Sequence, residues 1–278
     1  MKKSLFLISA TFLLVYCTKS SNDAAPDAVN PPHNIVSASI AGLSTAHIWS
    51  SDDLFGLYGS ASGNNVRYEV EPSSFGNDGV VRIFGPGADG ETVFGYYPFT
   101  KKGYPAVAAG RQPLAEIQSF KSNAQEQLKA NTILVAMLNE EQSLVFDYLC
   151  GVLHVRAAFG VEGDIMEAFL LSEDAPLYGD YSFLGANPLM EHPGKKLIIQ
   201  GIGQTCSPEK PLDLYFMLPP GSYSTLSINL VTEGEMVSKP IETTIAVTQK
   251  NEVTCVVTEK ETIYEGTDII IIEGSFDD

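Results

Sequence analysis

Apolar residues in this chain recur with a period of two far more than with the 3.6 of a helix, and that alternation limits what it can fold into. Over residues 35–41, Val36, Ala38 and Ile40 alternate with Ser37 and Ser39. Val66, Tyr68 and Val70 do the same around Arg67 and Glu69, as do Leu226, Ile228 and Leu230 around Ser227 and Asn229. Leu153, Val155, Ala157 and Phe159 alternate with His154, Arg156 and Ala158. Successive side chains of an extended chain point to opposite faces, so each segment is predicted to be a strand with one buried face. Further strands are expected over residues 54–58, 80–84, 92–97, 132–137, 144–149, 166–172, 197–201, 212–218, 243–248, 252–258 and 268–273. Turn clusters such as Gly63-Asn64-Asn65 and Asn77-Asp78-Gly79 separate them. One short helix is expected over residues 119–130, where Phe120, Ala124 and Leu128 share a face. Many short strands with almost no helix predict an all-β protein built from β-sandwiches, and the length suits two of them. The acidic stretch Asn139-Glu140-Glu141-Gln142 is the expected boundary, giving an N-terminal sandwich over 34–140 and a C-terminal one over 141–278.

The beginning of the chain reads as an export signal over residues 1–16. Lys2 and Lys3 precede an apolar run over residues 5–15, shorter than the roughly 20 residues of a membrane span. Leu14-Val15-Tyr16-Cys17 resembles a bacterial lipobox, which makes Cys17 the expected lipidation site. The alternative is an ordinary secretory peptide followed by a chance cysteine. Either way the protein is expected outside the cytoplasm. Residues 17–33 are rich in Ser, Asn, Asp, Ala and Pro, and read as a flexible lipidated tether.

The formal net charge of −17 argues against nucleic acid as a partner, because phosphate binding needs a basic stripe. Besides Cys17 the chain holds Cys150, Cys206 and Cys255, so at most one bridge can form among these three. Cys150 and Cys255 lie in apolar runs, where a buried small hydrophobe is expected. His33, His47, His154 and His192 are scattered without metal-ligand spacing, no spaced aspartate motif for calcium occurs, and no metal or cofactor is expected. Gly85-Pro86-Gly87-Ala88-Asp89-Gly90 matches the dinucleotide fingerprint by letter. It lies between two predicted strands rather than ahead of a helix, and is expected to be a hairpin loop. A nucleophile elbow is absent and no carboxylate pair stands out, so a non-enzymatic role is expected. Trp49 and the cluster Tyr96-Tyr97-Pro98-Phe99 admit two readings: Trp49, Tyr97 and Phe99 plug one end of a sandwich, or Trp49, Tyr96 and Tyr97 form an exposed stacking platform for a glycan.

Five landmarks then occur in a telling order. They are Cys17; Trp49-Ser50-Ser51-Asp52-Asp53-Leu54-Phe55-Gly56-Leu57-Tyr58; Phe94-Gly95-Tyr96-Tyr97-Pro98-Phe99; Leu144-Val145-Phe146-Asp147-Tyr148-Leu149; and Leu218-Pro219-Pro220-Gly221-Ser222-Tyr223. In this order the chain resembles the fimbrillin-like (Mfa-like) fimbrial lipoproteins of Gram-negative bacteria. The resemblance implies two tandem transthyretin-like β-sandwiches and an outer-membrane lipoprotein at the cell surface or in a fimbria (pilus). It further implies a structural or accessory subunit that assembles with other fimbrial subunits by β-strand exchange and contributes to adhesion to a host or bacterial surface. Val36, Ala38 and Ile40 would then be the inward knobs of a leaving strand. Ile269, Ile270, Ile271 and Ile272 would belong to a C-terminal donor strand, or to a strand that simply closes the second sandwich. Two departures are plain: no arginine lies between Cys17 and Arg67, where family members matured by an arginine-specific protease carry one, and no acidic pair follows Cys17. The alternative function is a surface glycan-binding lipoprotein of a nutrient-uptake system.

Overall fold

The computed structural model describes residues 34–40, 49–61, 65–76, 80–90, 93–100, 111–182 and 190–269. Its first part contains β1 (Asn34–Ile40), β2 (Leu54–Gly59), β3 (Val66–Val70), β4 (Val81–Gly85), β5 (Val93–Tyr97), β6 (Arg111–Leu114), β7 (Ile117–Ser119), the helix α1 (Ala124–Asn131), β8 (Leu134–Met137) and β9 (Ser143–Tyr148). The expectation of strands holds throughout, and the expected helix forms over its second half, with Asn123 accepting from the Glu126 N–H at its start.

Seven of these strands close a barrel in the order β1-β4-β3-β2-β5-β8-β9. The first half is therefore a closed form of the expected sandwich. β1 seals it, pairing antiparallel with β4 and parallel with β9. β2 and β5 are buried on both faces, which explains their near-continuous apolar runs. Residues 86–90 differ from the expectation of a hairpin loop. β4 is flanked by β1 and β3, and β5 by β2 and β8, so this loop crosses over rather than turning back. It packs on the end of β2, where the Ala61 N–H donates to the Asp89 carbonyl at 3.0 Å. Residues 139–142, expected between two domains, form the β8–β9 turn inside the barrel, and Asn139 Oδ1 accepts from the N–H groups of Glu141 and Ser143.

The second part comprises β10 (Gly151–Ala158), β11 (Val161–Ser172), β12 (Tyr178–Ser182), β13 (Met190–Gly194), β14 (Lys196–Cys206), β15 (Leu212–Leu218), β16 (Gly221–Tyr223), β17 (Leu226–Val231), β18 (Met236–Ile241), β19 (Ile245–Val247), β20 (Asn251–Thr258) and β21 (Thr262–Ile269). Two main sheets, β15-β10-β20-β21 and β18-β17-β11-β14-β7, enclose a core that includes Leu153, Val155, Phe216, Ile228 and Val253. Among the described residues β18 and β21 are outermost strands, and β18 carries Pro240, which edge strands tolerate.

The two parts share strands. β6 leaves the barrel to pair with β12, and β7 runs parallel to β14. Gln118 in β7 hydrogen-bonds the main chain of Met217, and Gln127 in α1 donates to the Tyr215 carbonyl. Residues 111–131 thus belong by packing to both parts.

Candidate assembly surfaces

Strand β1 is the first candidate. Val36 and Ala38 point into the barrel and are buried, while Ile35 on the other face is 44% exposed. Ile40 ends the strand opposite Phe146. Five residues of β1 are in register with β4 and four with β9, and Ser37 N–H also donates to the Gln142 carbonyl at 3.1 Å. The strand is therefore sealed on both edges. Its departure would leave a slot between β4 and β9 with two rows of unpaired main-chain groups and vacated positions for Val36 and Ala38.

The C-terminal candidate lies mostly outside the described residues. The last described strand, β21, spans Thr262–Ile269, where a tight turn at 258–261 starts its ladder with Thr262 opposite Val257, and it shares only Asp268 and Ile269 with the expected strand over 268–273. Ile269 stands opposite Asn251 at the end of that ladder. Ile270, Ile271 and Ile272 lie outside the described residues, as do Cys17, His33 and His47. Ile263 and Tyr264 are about half exposed on this outer strand.

The aromatic residues proposed for glycan stacking are core residues. Trp49 and Tyr96 are each 1% exposed, and Tyr97 is half-buried. Phe55 is the hub of this cluster, 5.4 Å from Trp49, 5.2 Å from Tyr97 and 5.3 Å from Phe146 between ring centroids. Such tilted, interlocked rings are core packing. Trp49 and Tyr96 are thus packed inside the barrel, and Tyr97 at its margin.

The sequence landmarks acquire physical roles in the same geometry. Asp53 is 3% exposed, accepts from the Ser50 N–H at 2.8 Å and takes the Tyr97 hydroxyl at 2.6 Å, tying the turn after Trp49 to the end of β5. Burial first, and then the Asp53 charge, push the Tyr97 hydroxyl far above its ordinary pKa, so it remains a donor. Gly56 is required by close approach: a Cβ there would overlap the Tyr96 ring, whose hydroxyl donates to Asn65 Oδ1 at 3.0 Å. Leu144, Phe146 and Tyr148 line the barrel from β9. The Tyr223 hydroxyl reaches back to the Pro219 carbonyl at 2.6 Å, closing the Pro-Pro-Gly corner on itself. The landmarks within the described residues thus tie turns and strand ends of the fold together.

The second part carries one polar cluster that sequence reasoning placed only as a polar strand face. His154 on β10 lies between Asp213 on β15 (Nε2–Oδ1, 2.9 Å) and Glu252 on β20 (Nδ1–Oε1, 3.3 Å), and stacks on Tyr215 at 4.2 Å. Burial works against its protonation, but the hydrogen bonds and charges of Asp213 and Glu252 outweigh burial and raise its pKa. The hydrogen bond to His154, opposed by burial, lowers the pKa of Asp213. This cluster ties three strands together. Among the described residues no group of three His, Cys, Asp or Glu side chains is placed to hold a metal. Cys150, Cys206 and Cys255 are free, buried thiols.

No protein-family model matches the sequence, and no curated protein matches it. Solved structures do resemble the fold. A candidate cell adhesion protein from Bacteroides ovatus superposes with a TM-score of 0.52 at 14% identity, covering 86% of this chain and 98% of that one. A second such protein, from Bacteroides uniformis, gives 0.46 at 12% identity over 86% and 99% of the two chains. The tip fimbrial protein Mfa3 from Porphyromonas gingivalis gives 0.41 at 12% identity, again over 86% and 99%. The first of these establishes a shared fold.

Proposed function

We propose that this chain is a structural or accessory subunit of a surface fimbria, held at the outer membrane by lipid on Cys17, and that it assembles with other subunits by β-strand exchange. The observation that carries the reading is the position of β1. A seven-residue strand near the start of the chain closes the barrel, and its removal opens a slot whose two flanking strands are already in place. An incoming strand with the same alternation would recover both ladders and both buried positions. The segment after β21 is the proposed donor, since Ile270, Ile271 and Ile272 supply apolar side chains and strong β-propensity. The fold shared with the Bacteroides ovatus cell adhesion candidate supports a role in adhesion at the cell surface. The role is structural rather than catalytic. Because β1 is sealed on both sides, exchange requires a cut within residues 41–48 or a strand drawn out under assembly.

The test uses the mature chain cut within residues 41–48, beside the same chain ending at Ile269. Electron microscopy and sedimentation should show rods from the first and monomers from the second. Monomers from both, or equal polymerisation without residues 270–278, would defeat the reading.

A further inference from the structure

Where the barrel meets the second part, the residues after β5, the β6–β7 segment, the end of α1 and β15 surround a cavity of about 230 Å³. Its floor is deep: Leu114, Gln118, Thr132, Cys150 and Met217 are each at most 7% exposed. Ile117 and Ala130 stand exposed at its rim. The fold fixes these walls, because β7 pairs with β14 and Leu114 and Leu128 are buried beside it. Among the described residues no lining side chain is charged, in a chain whose formal net charge is −17. The amides of the lining are already spent. Gln118 bonds both main-chain groups of Met217, and Asn131 bonds both main-chain groups of Ser119. Two hydroxyls are not spent. Thr100 Oγ1 is buried without a hydrogen-bond partner in the protein. Thr132 Oγ1 reaches only the Met217 thioether, at 3.6 Å, and a thioether is a weak acceptor.

We propose that this cavity is a binding site for a small neutral phenol. Its size admits one ring, since an apolar protein cavity of about 150 Å³ accepts benzene. The uncharged lining selects against a charged ligand, which would lose its water without gaining a counter-charge. The Thr100 and Thr132 hydroxyls offer a donor and an acceptor to one phenolic hydroxyl, and pairing recovers the free energy that an unmatched buried oxygen costs. Leu114, Ile133 and Met217 supply the apolar contact, and the polarizable Met217 sulfur favours an aromatic ring over an aliphatic body. A mostly apolar recess with a few placed polar groups, set between two parts of a chain, is the usual form of a small-molecule site. No lining residue belongs to β1, β4 or β9, so the site is separate from the barrel slot and stands without strand exchange.

The test titrates the intact mature chain, carbon-13 labelled at its methionine methyls, with phenol, benzene and benzoate. Phenol should shift the Met217 methyl resonance saturably through its ring current, and leave those of Met166 and Met236, both exposed, in place. Met217→Leu assigns the signal. Phenol should bind at least about tenfold more tightly than benzene, the equivalent of about 1.4 kcal/mol, and benzoate should not move the signal. Thr100→Val and Thr132→Val together keep the shape and remove both hydroxyls, so the preference for phenol over benzene should disappear while benzene still binds. A Met217 signal that phenol does not shift saturably, equal affinity for phenol and benzene, or binding of benzoate as tight as phenol overturns the inference. These comparisons use the unsubstituted chain and decide the matter even if the double variant fails to fold. A preference for phenol that survives both substitutions in a folded variant overturns it as well.

Discussion

Deleting residues 17–41 and returning strand β1 as a peptide tests its role quantitatively. Val36 and Ala38 are buried in the intact barrel, and losing them removes about 2–4 kcal/mol of apolar burial. The ladders to β4 and β9 are lost with them. For a chain of this size each kcal/mol moves the melting temperature by about 2–4 °C, so the deletion should lower it by about 5–15 °C without abolishing the cooperative transition. A peptide spanning residues 34–41, supplied at about 100 times its Kd, should restore about 2.7 kcal/mol. A control peptide with its alternation shifted by one residue should restore little, because it turns serines into the barrel and Val36 and Ala38 outward. Differential scanning fluorimetry measures all three. A deletion that melts within about 2 °C of the intact chain, or two peptides that rescue equally, would refute the argument that β1 closes the barrel through its inward side chains.

Other consequences can be checked independently. Protonated His154 gains its partners only in the folded state, so its raised pKa adds stability that is full below the ordinary value of 6.5 and fades as pH rises through the folded value. The lowered pKa of Asp213 adds stability above its ordinary 3.8 that is lost as pH falls through the folded value. The advantage of the unsubstituted chain over His154→Gln in urea melts should therefore be largest between those two ordinary values and shrink towards pH 8; growth towards pH 8 would reverse the assignment. Gly56→Ala should cost about 1–3 kcal/mol in urea unfolding, since the new methyl overlaps the Tyr96 ring. Burial pushes the thiols of Cys150 and Cys255 up to about 12, so a thiol reagent at pH 8 should leave them unlabelled in the native protein and label them in urea.

Strands with one wet face were legible because their alternation is a local property. Residues 66–70 and 212–218 form strands with the predicted bounds. Strands whose existence depends on a distant partner were not. β12 and β13 carry Gly and charged residues in place of an apolar beat, and β18 contains Pro240. Each is specified by its neighbours rather than by its own pattern. The closing of the first sandwich into a barrel was invisible for the same reason, since nothing in Ser143–Tyr148 announces a parallel partner a hundred residues earlier. At the candidate surfaces, the sequence marked the right aromatic residues but left their direction open. Trp49 and Tyr96 face inward because Phe55, Phe146 and Gly56 provide their seats. The buried glutamines gave no signal: Gln118 and Gln127 look like ordinary surface residues until β15 is placed beside them.

The parallel pairing of β1 with β9 also orders events in time. β1 leaves the ribosome early, but its partner follows only after residue 143, and β7 must wait for β14 at Lys196–Cys206. Neither half can complete its hydrogen bonding while the rest of the polypeptide is still being made. Such long sequence separations slow folding. An isolated N-terminal fragment would carry β6 and β7 without their partners β12 and β14, and the whole chain is expected to acquire its shape in one late step.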